Sequence, residues 1–382
     1  MSALGPFSID TYLPSFHEIG EKLHASPIEV QQTLSAYLFA FAAMTLWHGA
    51  ISDRFGRRKV ILVALGLFAL ASLGCMLASD IRHLWFWRAM QGVTAGAGIV
   101  ISRAIVRDLY DGPAAQKLMS QITMMFALAP AIAPVIGGWL QTAFGWRSIF
   151  AFLVLSTAIL AVACWKLLPE TLPPEKRQSL QPAYLARSYF KVMTSPVFLS
   201  ACGALAFNFG GFFIYVLSAP MFLMKHLGIG ETGFLWLFGP AMSGLLFGSW
   251  MSGRLAGHIR LMQTVGFGYA VMASAAAINL AISFSLPPGL PWSVLPLFVY
   301  TTGMSLAMPC LTIFALDPFP NQRGLAASCQ TFFQSGFNGI AAALIAPALW
   351  ASTQHLALGM AGLLMTGGLF ALLHRKLRLL PG

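Results

Sequence analysis

Charge is scarce in this sequence: Asp, Glu, Lys and Arg make up 9% of 382 residues, while 57% are hydrophobic. A soluble protein carries about 25% charged residues, so this chain cannot cover a water-facing surface and reads as an integral membrane protein. It also lacks room for a soluble domain. Twelve spans of about 20 residues use about 240 residues and leave about 12 per connection. Phosphate-binding and dinucleotide-binding domains, each of about a hundred residues or more, are thereby excluded. Cysteine is rare, and Cys75, Cys164, Cys202, Cys310 and Cys329 lie in apolar runs at no metal-ligand spacing. They read as small buried hydrophobes without a disulfide framework. Walker, metal-ligand and nucleophile motifs are missing, so ATP-driven transport by this chain alone is excluded and no cofactor or metal is expected. The spans hold no paired His, Cys or Glu constellation, which speaks against an intramembrane enzyme.

What the sequence has is long charge-free runs. Val60 to Ser79, Leu118 to Leu140, Ser148 to Trp165 and Thr232 to Gly253 are each about one bilayer long. Leu261 to Leu316 is twice that, is broken by Pro287, Pro288, Gly289 and Pro291, and reads as a helical hairpin. Gly324 to Leu373 reads the same way, with its interruption at Ser352 to His355. Val30 to Ile51, Leu84 to Ser102 and a segment within Val192 to Met224 add three spans. The first helix, within Met1 to Phe16, is expected to be short, about 24 Å against a core of about 30 Å. It is not read as a cleaved signal peptide, because it lacks a basic start, contains Asp10 and has no small-residue cleavage pattern after it.

The formal net charge of +11 resolves into topology. Of 23 Lys and Arg, eighteen fall on one side of the spans. These are Arg54, Arg57, Arg58, Lys59, Arg103, Arg107, Lys117, Lys166, Lys176, Arg177, Arg187, Lys191, Arg254, Arg260, Arg323, Arg375, Lys376 and Arg378. Lys22, Arg82 and Lys225 fall in loops on the other side, and Arg88 and Arg147 lie within or at the edge of helices. The positive-inside rule then places the eighteen, and both termini, in the cytoplasm, and nucleic acid is not an expected partner. The connection from about Leu167 to Thr194 holds PETLPPEKRQ, Pro-rich and charged with no apolar period. It divides the chain into residues 1–168, a central loop 169–194, and 195–382 with a short cytoplasmic tail. The turn GAISDRFGRRK (Gly49 to Lys59) has a faint counterpart in GSWMSGRLAGHIR (Gly248 to Arg260). Two related halves flanking a midplane cavity are the architecture of alternating-access transporters.

One carboxylate, Asp10, lies within an expected span, and Arg88 is the one basic residue well inside another. An intramembrane carboxylate is costly, so its default reading is functional; a helix-end acid facing water is the bland alternative. A nearby guanidinium favours the ionised carboxylate and an apolar pocket the neutral acid, so alternation between them would let Asp10 bind and release a proton. A purely structural Asp10–Arg88 ion pair is the competing reading. Tyr12, Tyr37, Gln91, Gln121, Asn208, Tyr215, Asn279, Tyr300, Gln330, Gln334 and Asn338 are polar groups that would be expensive facing lipid. They are candidates for a substrate-lining surface or for bonds between helices. His48 and His258, near helix ends, read as structural.

Four segments resemble a known family. GPFSIDTYLPSF (Gly5 to Phe16) is similar to the Asp-x-Tyr-Leu-Pro signature, and GAISDRFGRRK to the signature turn of the major facilitator superfamily. RAMQGVTAGAG (Arg88 to Gly98) resembles its fourth-helix Arg-x-x-Gln-Gly motif, and LAPAIAPVIGGWL followed by FGWRSIF its fifth-helix antiporter motif. Ala129 and Ala133 depart from that motif's usual glycines, although alanine is common in the subfamily. Together they resemble the drug/proton antiporters of the Bcr/CflA type, those of bicyclomycin and chloramphenicol resistance. The resemblance implies an all-α integral membrane fold of twelve transmembrane helices in two six-helix halves. It further implies a monomer in a bacterial inner membrane that exports small amphipathic drugs in exchange for protons. Asp10 and Arg88 would couple protons. Gly49, Asp53, Arg54, Gly56, Arg57 and Arg58 would form an inner gate latch, the glycines permitting close approach, Asp53 sitting at a neighbouring helix N-terminus and the arginines pairing with lipid phosphate or acidic side chains. Pro130, Pro134, Gly137 and Gly138 would let helix five bend and pack tightly. Transport of a specific metabolite, or a non-transporting membrane sensor, remain the alternatives, and a substrate-dependent proton flux separates transport from sensing.

Overall fold

The computed structural model describes residues 1, 3–110, 112–177, 182–255, 258–320 and 323–379, all helix or connection. The chain divides into two compact units, Met1–Pro182 and Ala183–Gly382.

In the first unit the opening helix is broken. α1 (Leu4–Asp10) passes through Thr11 and Tyr12 into a 3-10 turn (Leu13–Ser15), and α2 (Phe16–Lys22) carries on from there. Pro14 lacks an N–H and interrupts the ladder. The whole segment from Leu4 to Lys22 extends about 28 Å by helical rise, not the 24 Å expected. The charge at Glu18 does not end it, because the Glu18 carboxylate accepts hydrogen bonds from Gln141 Nε2 (2.6 Å) and the Trp146 N–H (2.8 Å).

α3 (Pro27–Phe55) starts at a reciprocal cap. The Glu29 N–H donates to Ser26 Oγ (3.3 Å) and the Ser26 N–H to Glu29 Oε2 (2.8 Å), with Pro27 in the first turn. It ends at Gly56, whose φ of 93° is a conformation that favours glycine, and α4 (Arg57–Met76) follows at once. α5 (Ile81–Leu109) is capped by Asp80, which accepts from the His83 N–H (2.9 Å). α6 (Gly112–Phe144) contains Pro130 and Pro134, and α7 (Arg147–Leu167) completes the set. α3 packs on α5, and α4 on both α5 and α7.

The second unit opens with α8 (Pro182–Met193), a helix inside the connection expected to be an irregular loop. α9 (Pro196–Leu217), α10 (Leu235–Leu255), α11 (Leu261–Ser285), α12 (Leu295–Leu316), α13 (Arg323–Ile340), α14 (Ala346–Leu349) and α15 (Thr353–Leu379) follow. The first long charge-free run is a hairpin, α11 packed on α12, while the second forms α13–α14 followed by α15, which packs on α9 and α11. α9 is the most enclosed helix, packed against α12 and α15, while α12 also meets α10 and α11. A π turn, Ala341–Ile345, joins α13 to α14 just before Pro347.

Among the described residues, ten helices are long and apolar enough to cross a membrane. The remaining two expected spans are the broken opening helix, and α6, many of whose side chains lie outside the described residues. Large hydrophobics such as Leu155, Ile159, Trp165, Phe267, Met365 and Leu369 are exposed in quantity, the surface a lipid-facing helix needs.

Candidate functional site

The sequence pairs Gln91 with Gly92, and the glycine sets the geometry. A Cβ on Gly92 would overlap the Tyr37 carbonyl, so α5 reaches α3 at a separation that excludes any larger residue. One turn earlier, that contact brings Arg88, with no solvent exposure, between the rings of Tyr12 and Tyr37. Its guanidinium carbon lies 4.6 Å from each ring centroid. Stacking of this kind is worth about 0.5–2 kcal/mol per ring. Arg88 Nη1 donates to the Ser8 carbonyl (3.0 Å) and to Gln91 Oε1 (2.7 Å), and Gln91 Nε2 donates to Ser72 Oγ (2.7 Å). Ser8 Oγ donates to Tyr37 Oη (2.8 Å), and Tyr12 Oη shares a hydrogen bond with Thr33 Oγ1 (2.7 Å). One polar knot therefore ties α1, α3, α4 and α5.

Asp10 closes α1 and is 4% exposed. It is the one fully buried carboxylate among the described residues, and none of these gives it an ion pair. Arg88 Nε and Nη2 are likewise buried without a hydrogen-bond partner among the described residues. The structural ion pair weighed as the competing reading is therefore not formed in this structure. α6 supports the same region: a Cβ on Gly137 would overlap the Thr11 carbonyl, so α6 lies directly against the break in the opening helix. Pro134 and Gly138 are buried and Pro130 is half-buried. The Gln121 side chain lies outside the described residues.

The signature turn is held by carboxylates of its own unit. Arg57 is buried. Its N–H donates to Glu170 Oε1 (2.9 Å), its Nε to Asp108 Oδ2 (3.1 Å) and its Nη1 to Ser52 Oγ (2.6 Å), and it pairs with Asp53. Thr171 Oγ1 also donates to Asp108 (2.9 Å). The carboxylate at the N-terminus of α4 is thus Glu170. Arg58 donates to the Trp165 carbonyl at the end of α7, and Arg54 lies over the Phe55 ring at 5.3 Å. A Cβ on Gly56 would strike the Glu170 carboxylate, whereas one on Gly49 would meet only Val100 at 3.8 Å, an ordinary contact. The close approach expected at Gly49 occurs on α5 instead, at Gly92 and at Gly96, where a Cβ would stand 3.2 Å from Thr45 and His48.

In the second unit most candidates bond neighbouring helices. Asn208 Nδ2 donates to Tyr269 Oη (2.8 Å), Tyr269 Oη to the Gly367 carbonyl (2.8 Å) and Tyr300 Oη to the Asn208 carbonyl (2.9 Å), linking α9, α11, α12 and α15. Asn279 Nδ2 donates to Tyr215 Oη (2.7 Å). Gln330 Nε2 reaches Thr312 (3.3 Å), and Gln334 Nε2 reaches Asn338 Oδ1 (3.2 Å) within α13. Sequence reasoning missed Ser8, Thr33, Ser72, Gly92, Asp108, Glu170 and Tyr269. Gly92 and Glu170 stand inside stretches already singled out, RAMQG and PETLPP, and their neighbours were the available signal.

Residues 1–343 match the profile of the Major Facilitator Superfamily. The chain belongs to this family. It is a multi-pass membrane transporter and not an enzyme. Among relatives, a bicyclomycin resistance protein homolog of Haemophilus influenzae is 33% identical over 254 residues, 66% of this chain and 64% of its own length. Multidrug resistance protein D of Escherichia coli is 28% identical over 365 residues, covering 95% of this chain and 90% of that protein. The crystal structure of a D-xylose-proton symporter superposes with a TM-score of 0.75 at 17% identity over 98% of this chain and 96% of that one, a likeness of fold.

Proposed function

We propose that this chain exports small amphipathic molecules, antibiotics of the bicyclomycin and chloramphenicol kind among them, in exchange for protons by alternating access. The observation that carries the reading is Asp10, a buried carboxylate without an ion-pair partner among the described residues, in the same unit as a buried Arg88 whose Nε and Nη2 have no hydrogen-bond partner among the described residues. Two uncompensated charges in one apolar interior would cost several kcal/mol each. In the proposed cycle this is the arrangement in which Asp10 carries the proton. Once ionised, it is matched by the free Nε and Nη2 of Arg88, a planar fork suited to a carboxylate. The break at Thr11 to Ser15 lets the end of α1 move relative to α2, and Tyr12 and Tyr37 hold the guanidinium in either state. The signature turn, clamped by Asp108 and Glu170, acts as the inner latch, and Pro130, Pro134, Gly137 and Gly138 give α6 its bend. The half-buried Gln330 and Gln334, with Asn338, lie one turn apart on α13 and contact substrate.

Twelve spans, divided near the 169–194 connection, carry this out in a bacterial inner membrane with both termini cytoplasmic and the chain a monomer. The resistance-protein relatives support the substrate class. The test compares two modes of transport in vesicles. Asp10→Asn should keep counterflow of radiolabelled chloramphenicol and lose accumulation driven by an imposed pH gradient. Accumulation equal to that of the parent would refute the coupling role.

A further inference from the structure

α8 inverts the pattern of a helix that faces water. Ser188 and Val192 are buried, while Phe190 is 70% exposed and Arg187, Lys191 and Ala186 are exposed beside it. At 3.6 residues per turn the exposed four fall within an arc of about 140°. A phenylalanine outside and a serine inside make no sense against water. They do against a lipid headgroup layer, where an apolar ring sinks among acyl chains and flanking cations meet phosphates. The Arg187 and Lys191 side chains form no ion pair among the described residues, so their charge is available. Location agrees. Only Thr194 and Ser195 separate α8 from the apolar span α9, and Ser195 Oγ already caps that span by accepting from the Phe198 N–H (3.4 Å). Two residues reach about 7 Å, so the end of α8 stays at the membrane boundary.

We infer that the Arg187, Phe190 and Lys191 face of α8 is a binding surface for anionic lipid headgroups. Phe190 anchors in the interface, and the two cations select phosphatidylglycerol-type lipid over zwitterionic lipid. Each basic residue near a membrane surface contributes about a fivefold preference. The face thereby ties the connection between the two units to the composition of the bilayer.

The test uses the purified full chain in detergent, presented with equal phosphatidylglycerol and phosphatidylcholine, with retained lipids counted by native mass spectrometry. The ratio of anionic to zwitterionic lipid should fall about fivefold in Arg187→Gln and again in Lys191→Gln. It should hold in Arg187→Lys, which keeps the charge, and a thermal melt matching the parent shows that the glutamine variants are folded. Phe190→Ser should lower retention of both lipids. An unchanged ratio in the double glutamine variant would overturn the proposal. So would a parent dimer that the Phe190→Ser variant converts to monomer, because that outcome assigns the face to a second copy of the chain.

Discussion

Arg88 has its guanidinium carbon 4.6 Å from the centroids of two phenol rings, and its Nε and Nη2 have no hydrogen-bond partner among the described residues. A lysine keeps the charge but has neither the plane nor the fork. Arg88→Lys should therefore lower gradient-driven transport about tenfold or more, with protein level and melting temperature within a few degrees of the parent. Tyr37→Phe keeps the ring and removes the acceptor for Ser8 and the donor to the Gly5 carbonyl, bonds worth about 1 kcal/mol each, so most transport should survive. Tyr37→Ala should remove the stack and resemble Arg88→Lys. If Tyr37→Phe were as damaging as Tyr37→Ala, the hydroxyl rather than the stack would be the working group. Asp10 and Arg88 were legible in the sequence because a lone charge in an apolar run stands out. Glu18, Asp108 and Glu170 were not. A carboxylate at a helix end reads the same whether it is solvated or holds a backbone N–H, and only the folded chain brings Trp146 to Glu18 or Arg57 to Glu170.

The elements depend on a few positions where a helix meets a backbone. Gly137 lets α6 touch the Thr11 carbonyl, so Gly137→Ala forces the helices apart at the break that carries Asp10. Overpacking of this kind costs about 1–3 kcal/mol. The measurement is a thermal melt in detergent together with transport, and transport should fall further than stability because Asp10 shifts with the break. α5 depends on its cap. The Asp80 carboxyl is held below the usual carboxylate range, first by the His83 N–H, opposed by burial, and then by the Arg82 N–H, the His83 ring and the Ser79 hydroxyl. A lowered folded pKa means that the cap adds stability above the ordinary carboxylate range and loses it as pH falls through its own lower value. Asp80→Ala should speed amide exchange in the first turn of α5 at neutral pH, and the difference should vanish in acid. A difference that persisted in acid would mean that the carboxylate is not what holds the turn. Spans were legible because charge-free runs of bilayer length admit little else. α8 was hidden, because a Pro-rich charged stretch precedes it and its exposed phenylalanine matches no pattern written for water.

At the scale of the whole molecule, each unit carries one buried polar knot, Ser72, Gln91, Arg88, Ser8 and Tyr37 in the first and Asn208, Tyr269, Tyr300 and Gly367 in the second. Only the first contains a permanent charge, and only the first unit buries a carboxylate among the described residues. Under the antiport proposed above, the proton is carried within Met1–Pro182, and substitutions such as Asn208→Ala should alter stability or substrate preference while leaving proton coupling intact. The most direct measurement is substrate-driven proton movement in proteoliposomes, followed with a pH-sensitive dye, for the parent and Asp10→Asn side by side. Antiport through Asp10 predicts flux in the parent on adding chloramphenicol and none in the variant. Equal flux in both would contradict it and place the proton on another group.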